Sequence, residues 1–338
     1  LEKAKGGVRV GANAYWEYKT LFTYRRLTTS LENITIDRPV FLLGVQGSGL
    51  TLLTRMIHRH RDVVTIGGGP GFWVGNNEMD KQSVRELPED FVLRSPGFQS
   101  PVFKEHMKGN EEIHPIFGKE RNWVYACKDI VNEYRRTRED WTEQKEQAIK
   151  RVTKESIRAY SRTISEARFV DMSQTFILKI PLLRQIFPNA RFIIQTRNPY
   201  ATCYKEALDE SYEWRCHASM KTKLRLFSEH WYNSYKYALE DLKDSEKSLF
   251  IRYEDLVSSP ESTLKDVLNI AELSFCEDML PKEHHQLPLG ATERHKWYPV
   301  RENENEKYLG KIDAESASLI QKITQPIAER FGYYSPTQ

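Results

Sequence analysis

A short apolar run followed directly by glycines constrains the fold of this 338-residue chain more than any other feature. The run is VFLLGV at residues 40–45, and QGSGLTLL follows it at residues 46–53. A nearly continuous apolar run of this length is typical of a central parallel strand that is buried on both faces. The apolar residues after the glycines fall at helical spacing. The pattern therefore predicts a strand, a tight turn and a helix, which is the beginning of an α/β domain.

The turn has most of the spacing of a phosphate-binding P-loop. Gly44, Gly49 and Thr51 fit the pattern G-x-x-x-x-G-K-[ST], but Leu50 stands at the lysine position. Successive backbone N–H groups at the start of a helix form a concave anion site. The residues predicted to bind the anion are Gly47, Ser48, Gly49, Leu50, Thr51 and Leu52. Because the lysine is missing, a magnesium triphosphate is poorly supported, and a ligand with one anionic group at this loop is favoured.

A second cationic segment follows the strand RFIIQT at residues 191–196. Arg197 comes at the carboxyl end of that strand, where open α/β sheets bind ligands, and Asn198-Pro199 then begins a helix. Lys205 lies eight residues after the arginine. We expect Arg197 and Lys205 to hold a second phosphate. A surface arginine at the sheet edge, with an exposed helix lysine, is the alternative interpretation.

Aromatic residues complete the set of candidate ligand contacts. Tyr253 follows a third predicted strand, where it is placed to pack against a purine or simply against the core. The segment ERHKWYPV brings Arg294 and Lys296 beside Trp297 in an irregular stretch. These cations and this aromatic ring suit a segment that closes over the phosphate and base of a nucleotide. The alternative interpretation is that the segment is a solvated basic loop.

The sequence pattern predicts an amphipathic helix at residues 142–166, a long helix at about 221–242 after the strand RFIIQT, and a third strand in SLFIRYEDL at 248–256. This alternation of strands and helices predicts an α/β fold with a central parallel sheet flanked by helices. We find no repeat or linker, so we predict a single domain over residues 1–338, with a core at 38–335 and a helical insertion at about 67–166. A net charge of +3 argues against nucleic-acid binding by bulk charge, and no apolar run reaches membrane-spanning length. Four scattered cysteines suggest no metal site and a cytoplasmic location. A sequon at Asn33 and a first residue other than methionine keep a Golgi lumenal origin open.

Together these segments resemble the sulfotransferase superfamily, whose members transfer a sulfuryl group from 3′-phosphoadenosine 5′-phosphosulfate (PAPS). GVQGSGLTLL is similar to the loop that binds the 5′-phosphosulfate, and FPNARFIIQTRNPYA is similar to the segment that binds the 3′-phosphate. IRYEDLVSSPESTLKDVL, on the adenine side, is the most specific match, and the P-x-A-E-R-F-G-Y ending also fits. The resemblance implies a three-layer fold like that of P-loop NTPases. It also explains the missing lysine, because PAPS carries no triphosphate and needs no metal.

The resemblance further implies the chemistry. The acceptor hydroxyl or amine attacks sulfur in line, and adenosine 3′,5′-bisphosphate leaves. RNPYA is similar to bacterial members that decorate small natural products, and Phe72 and Trp73 suggest a pocket for a small organic acceptor. The implied partners are therefore PAPS as co-substrate and a small molecule, with no metal, nucleic acid or membrane. The oligomeric state stays open.

Three positions depart from the family pattern. Relatives usually carry Arg or Lys at the position of Gly47, and often Lys-Ser-Pro or Lys-Thr-Pro at Met172-Ser173-Gln174. The serine that relatives place eight residues after the 3′-phosphate arginine is Lys205. Lys179 and Lys128 are our candidates for the cation that serves the transition state.

The family uses His in some branches, and Glu or Asp in others, as the base that takes the acceptor proton. The candidates here are Glu78, Asp80, His114 and Asp171, of which we favour Glu78 and Asp171. If no cation serves the transition state, the alternative is a degenerate member that binds nucleotide without turnover. A magnesium-dependent kinase is the other alternative, and Leu50 counts against it.

Overall fold

A computed structural model describes residues 24–64, 124–210, 216–282, 300 and 302–336. Its strands are β1 (Val40–Leu43), β2 (Val63–Val64), β3 (Arg168–Asp171), β4 (Arg191–Thr196) and β5 (Ser248–Arg252). Its α-helices are α1 (Arg25–Thr28), α2 (Leu50–His58), α3 (Val131–Tyr134), α4 (Glu143–Tyr160), α5 (Ile180–Ile186), α6 (Pro199–Leu208), α7 (Met220–Asp241), α8 (Tyr253–Ser258), α9 (Pro260–Ala271), α10 (Glu306–Leu309) and α11 (Ala314–Ala328). Short 3₁₀ helices lie at Leu31–Asn33, Arg138–Asp140, Gln174–Leu178, Glu277–Met279, Glu302–Glu304 and Glu329–Phe331.

The described strands form one parallel sheet in the order β2-β3-β1-β4-β5, with β1 at its centre. The register pairs Leu43 at the end of β1 with Ile194, and Thr196 at the end of β4 with Arg252. Because all strands run the same way, the segments after β1, β4 and β5 leave the sheet at the same edge. This edge carries the glycine-rich loop and the two predicted ligand segments.

Both faces of the central strand are buried, as the apolar run predicts. Phe41 and Leu43 belong to one hydrophobic cluster, whereas Val40 and Leu42 belong to the cluster on the opposite face. This division follows from the alternation of side chains along a strand. Helices therefore cover the sheet on both sides, and the prediction of an α/β fold with a parallel central sheet is confirmed.

Helix α7 is the long helix predicted after the strand RFIIQT, which is β4, and it has 22 residues. It buries His230 completely, and the imidazole Nδ1 accepts a hydrogen bond from the backbone N–H of Ala126 at 3.1 Å. Burial without a charged partner lowers the pKa of His230 to about 3. The ring is therefore neutral at physiological pH, and it anchors the segment before α3.

The insertion expected at about 67–166 lies only partly within the described residues. Its described portion contains α3 and α4, and the remainder, residues 67–123, lies outside the described part of the chain. Helix α4 matches the amphipathic helix expected at residues 142–166, although it ends earlier, at Tyr160. Among the described helices, none combines the length and apolar character that crossing a bilayer requires.

Candidate nucleotide-binding and active site

The loop between β1 and α2 has the backbone conformation of an anion site. Gly47 and Gly49 have φ values of 79° and 87°, a region that residues with a Cβ rarely adopt. Gly49 is the residue that precedes the first turn of α2. Two of the predicted anion-binding amides are already paired, since the N–H of Ser48 donates to the carbonyl of Val45 at 3.1 Å and that of Leu52 donates to the carbonyl of Gly49 at 3.0 Å. The amides of the first turn of α2 carry the positive end of the helix dipole. The loop can therefore bind an anion through its backbone.

The structure also explains why residue 50 is not a lysine. The Leu50 side chain is only 2% exposed and lies in the hydrophobic cluster that includes Leu42 and Leu53. An ammonium group there would have to be buried among apolar side chains, at a large cost in desolvation. Residue 50 can therefore contact an anion only through its backbone. The next two residues, Thr51 and Leu52, are half-buried.

Tyr253 lies directly against this loop. It is buried at the start of α8, and a Cβ placed on Gly49 would be 2.3 Å from its ring atom Cδ2. Gln195 approaches from β4 and donates a hydrogen bond from Nε2 to the carbonyl of Ser48 at 2.7 Å. The glycine at position 49 is therefore required both for its backbone conformation and for the close approach of the aromatic ring.

Arg197 joins the loop to the rest of the site. It follows the last residue of β4, is 6% exposed, and donates from Nη1 to the carbonyl of Gly47 at 2.9 Å. Its Nε donates to Oδ1 of Asn305 at 2.7 Å, and its guanidinium carbon lies 4.3 Å from the centre of the Tyr253 ring. These contacts fix the plane of the guanidinium beside the loop. Arg197, Tyr253 and the loop thus lie side by side in the structure.

Glu254 holds the partners of Arg197 in place. Its Oε1 accepts hydrogen bonds from Nδ2 of Asn305 at 2.6 Å and from the backbone N–H of Asn198 at 3.0 Å. Its Oε2 accepts from the hydroxyl of Tyr333 at 2.8 Å. Burial, together with the negative charge of Glu254, raises the pKa of Tyr333 well above its usual value. Glu254 thereby connects four segments of the chain.

Helix α7 supports the loop from behind. The hydroxyl of Tyr235 donates to the carbonyl of Gln195 at 2.8 Å and accepts from the backbone N–H of Val45 at 3.4 Å. One turn earlier, Nε1 of Trp231 donates to the carbonyl of Arg197 at 3.0 Å. Sequence reasoning missed both residues. Their signal was present, since two aromatics with polar tips four residues apart on a predicted helix share one face.

Lys205 lies on α6, the helix that Asn198 caps and Pro199 begins, as predicted. Its Nζ is 3.2 Å from Oε1 of Glu206, a carboxylate that is only 4% exposed. A Cβ on Gly47 would lie 2.9 Å from the same Oε1. The structure therefore places the lysine beside the loop, with Glu206 between them.

Two of the catalytic candidates, Asp171 and Lys179, are buried. Asp171 is the last residue of β3, is 3% exposed, and accepts a hydrogen bond on Oδ1 from the backbone N–H of Ser173 at 2.8 Å. Lys179 is fully buried, and its Nζ is 3.3 Å from Oγ1 of Thr175. Lys128 is exposed. Their catalytic roles remain hypotheses.

Some predicted residues lie outside the described part of the chain. These are Glu78, Asp80, His114, Phe72, Trp73, Arg294, Lys296 and Trp297. Conversely, Asn305 joins the site although no sequence signal marked it. Tyr333 belongs to the ending that resembles the family, but its link to Glu254 follows only from the fold.

Comparisons with known proteins identify a family through its sequence model and a shared fold through solved structures. The family model described as "Sulfotransferase family" matches residues 39–277. The structure is similar to the sulfotransferase domain from the curacin biosynthetic pathway, with 17% identity, a TM-score of 0.51, and coverage of 89% of this chain and 99% of that one. It is also similar to sulfotransferase STF9 from Mycobacterium avium, with 11% identity, a TM-score of 0.50, and coverage of 93% and 81%. A search of curated proteins gave no match.

Proposed function

The chain belongs to the sulfotransferase family, and we propose that it transfers a sulfuryl group from PAPS to a hydroxyl or amine of a small organic acceptor. The observation that carries the proposal is the position of Arg197. Its guanidinium is hydrogen-bonded to the loop carbonyl of Gly47 and stacked on Tyr253. A nucleotide with anionic groups on both its 5′ and 3′ sides suits a site with an anion-binding loop, an adjacent arginine and an aromatic ring.

Each part of the donor has a matching group. The backbone amides at the start of α2 suit the 5′-phosphosulfate. Arg197 suits the 3′-phosphate, because a guanidinium binds phosphate through two parallel hydrogen bonds. Asn305 and Gly47 already fix its orientation, so less conformational entropy is lost when the phosphate binds. Tyr253 is the candidate for contact with the adenosine, although only 7% of it is exposed.

Catalysis by this site would rest on positioning and on charge stabilisation. The loop and Arg197 hold the donor so that its sulfur faces the acceptor. The acceptor oxygen or nitrogen forms a bond to sulfur, and the bond from sulfur to the 5′-phosphate oxygen breaks, with the electron pair leaving on that oxygen. The acceptor proton passes to a base, for which Glu78 and Asp171 are the candidates. We propose a natural-product-like acceptor from the resemblance of the RNPYA segment to such bacterial members.

A degenerate binder without turnover is the second candidate function. It is favoured by Gly47, which brings no cation to the loop, and by Met172, which is 4% exposed and packs in the core where relatives often place a lysine. A magnesium-dependent kinase has less support, since the buried Leu50 leaves the loop without its phosphate-binding lysine.

A thermal melt with adenosine 3′,5′-bisphosphate, compared with ATP plus magnesium, tests the donor site. At about 100 times its dissociation constant the bisphosphate should stabilise the fold by about 2.7 kcal/mol. Arg197→Ala should abolish the shift. Arg59→Ala is the matched control, because Arg59 forms an exposed ion pair with Asp278 at the opposite end of α2. It should leave the shift unchanged.

Chromatography of the nucleotide products then tests turnover. An active enzyme converts PAPS to the bisphosphate when it is incubated with a panel of phenols, alcohols and amines. Binding of the bisphosphate without any conversion would favour the degenerate binder. A melting shift with ATP and magnesium alone would refute the sulfotransferase proposal.

A further inference from the structure

We propose that Lys205, held by Glu206, supplies the positive charge that the anion-binding loop lacks, and that it stabilises the leaving 5′-phosphate oxygen of PAPS. This inference rests on the proposed function. It moves Lys205 from the 3′-phosphate, where the sequence suggested it, to the 5′ side of the donor.

The first argument is the space beside Gly47. The loop from Gly44 to Thr51 contains no Lys or Arg. A Cβ on Gly47 would point at α6, where it would lie 2.9 Å from Oε1 of Glu206 and 3.2 Å from Cγ2 of Thr202. Helix α6 therefore borders the volume that a side chain at position 47 would enter.

The second argument is the position of the ammonium group. Nζ of Lys205 lies 3.2 Å from the Glu206 oxygen that borders Gly47. The ammonium is therefore no farther than about 6 Å from the Cβ position on Gly47, a separation comparable with the length of a four-carbon lysine stem. Two neighbouring residues of α6 therefore place a cation where the loop itself provides none.

The third argument concerns burial and charge. Glu206 is 4% exposed, and a buried carboxylate needs a cationic or hydrogen-bonding partner. The Lys205 side chain is 37% exposed, so it can reach a ligand while it remains paired with Glu206. Arg197 is assigned to the 3′-phosphate in the proposed function, so the 5′ side of the donor requires a second cation.

The chemical role follows from the charge balance of the reaction. The acceptor forms its bond to sulfur and loses a proton to a base, and the bond between sulfur and the 5′-phosphate oxygen breaks. The electron pair of that bond stays on the phosphate oxygen, which gains a full negative charge in the bisphosphate product. An ammonium fixed beside this oxygen stabilises the charge as it develops.

Three nucleotide probes separate the 5′ role from the 3′ role. Lys205→Met should weaken binding of adenosine 5′-monophosphate and of adenosine 3′,5′-bisphosphate by the same factor. It should leave the affinity for adenosine 3′-monophosphate unchanged. Arg197→Ala should weaken the two 3′-phosphorylated probes and spare the 5′-monophosphate. Isothermal titration of each variant gives these ratios without any knowledge of the acceptor.

Turnover provides the second measurement. Lys205→Met should slow PAPS consumption, with water or a screened acceptor, by about 100-fold. Lys205→Arg keeps the charge and should recover much of the rate. Lys265→Met is the matched control, because Lys265 also pairs with a glutamate on a helix, Glu261 of α9, and should change neither binding nor rate.

The outcomes distinguish this inference from the proposed function. If Lys205→Met weakens only the 3′-phosphorylated probes, or leaves the rate within a few fold of wild type, the inference is wrong and the sulfotransferase proposal stands. If the wild-type chain binds none of the probes, the proposed function itself fails. If the wild-type chain binds them but consumes no PAPS, there is no leaving group for Lys205 to serve, and the inference is overturned.

Discussion

Substitution of Gly49 by alanine isolates the close contact between the loop and Tyr253. Gly49 has φ 87° and ψ 13°, and a Cβ there would lie 2.3 Å and 2.7 Å from two atoms of the Tyr253 ring and 2.9 Å from Nε2 of Gln195. A new methyl group can fit only if the ring moves. Because that ring also stacks on Arg197, the displacement should reach the guanidinium as well.

The destabilisation caused by Gly49→Ala has two contributions. A left-handed backbone conformation costs a residue with a Cβ about 1–2 kcal/mol. Overpacking against the ring adds about 1–3 kcal/mol. The free energy of unfolding should therefore fall by about 2–5 kcal/mol, which corresponds to a fall in melting temperature of about 4–10 °C if a chain of this size loses about 2 °C per kcal/mol.

Gly332→Ala is the matched control for this experiment. Gly332 has φ 76° and ψ 23°, but the nearest heavy atom to its Cβ would be Nη1 of Arg252 at 4.0 Å. It should therefore show the backbone cost alone, about 1–2 kcal/mol. Both variants are measured by thermal melting, with and without adenosine 3′,5′-bisphosphate. Gly49→Ala should also lose most of the ligand-induced shift, whereas Gly332→Ala should keep it.

A double-mutant cycle tests the assigned cause. Tyr253→Ala removes the ring, so in that background Gly49→Ala should lower the free energy of unfolding only by the cost of the left-handed backbone conformation. The effects of the two substitutions should therefore be non-additive by about 1–3 kcal/mol. Equal destabilisation by Gly49→Ala and Gly332→Ala, or strict additivity with Tyr253→Ala, would refute the proposed contact.

Three further predictions follow from other buried contacts in the structure. Glu254→Gln replaces charged hydrogen bonds by neutral ones and should weaken bisphosphate binding about fivefold to tenfold through Arg197, which titration calorimetry can measure; an unchanged affinity would contradict the role assigned to Glu254. Tyr235→Phe leaves the carbonyl of Gln195 and a loop amide without their partner and should cost about 1–3 kcal/mol, so a melting temperature equal to that of wild type would count against that support. His230 has a pKa of about 3 when folded, below its unfolded value of about 6.5, so its contribution to stability is complete above pH 6.5 and is lost as the pH falls. His230→Asn should reduce the slope of stability against pH between 6.5 and 5 by up to about 1.4 kcal/mol per unit, and equal slopes in melts of both proteins would contradict this.

Much of the site could be predicted from the sequence because its signals are local. A strand that buries both faces requires consecutive apolar residues, and VFLL in β1 supplies them. The loop requires glycines at positive φ, and Asn198 with Pro199 begins a helix by its own side-chain hydrogen bonds. Each of these features is decided within a few residues. The sequence could therefore place a loop and an arginine at the ends of two strands.

The strand order and the partners of the site residues could not be predicted in this way. The order β2-β3-β1-β4-β5 decides that the ends of β1 and β4 are neighbours. Asn305 meets Arg197 across 108 positions of sequence, and Tyr333 meets Glu254 across 79. No periodicity marks such pairs, because they arise when separate elements pack against one sheet edge.

Gly47 and Leu50 show most clearly which features follow from the sequence and which follow only from the tertiary structure. The sequence by itself determined that Leu50 replaces a lysine and that Gly47 brings no side chain to the loop. Only the tertiary structure decided that Leu50 is buried in the core and that Lys205 and Glu206 border the space beside Gly47. The physical reason is that backbone conformation and burial periodicity are local properties, whereas the position of a charge depends on how distant helices pack.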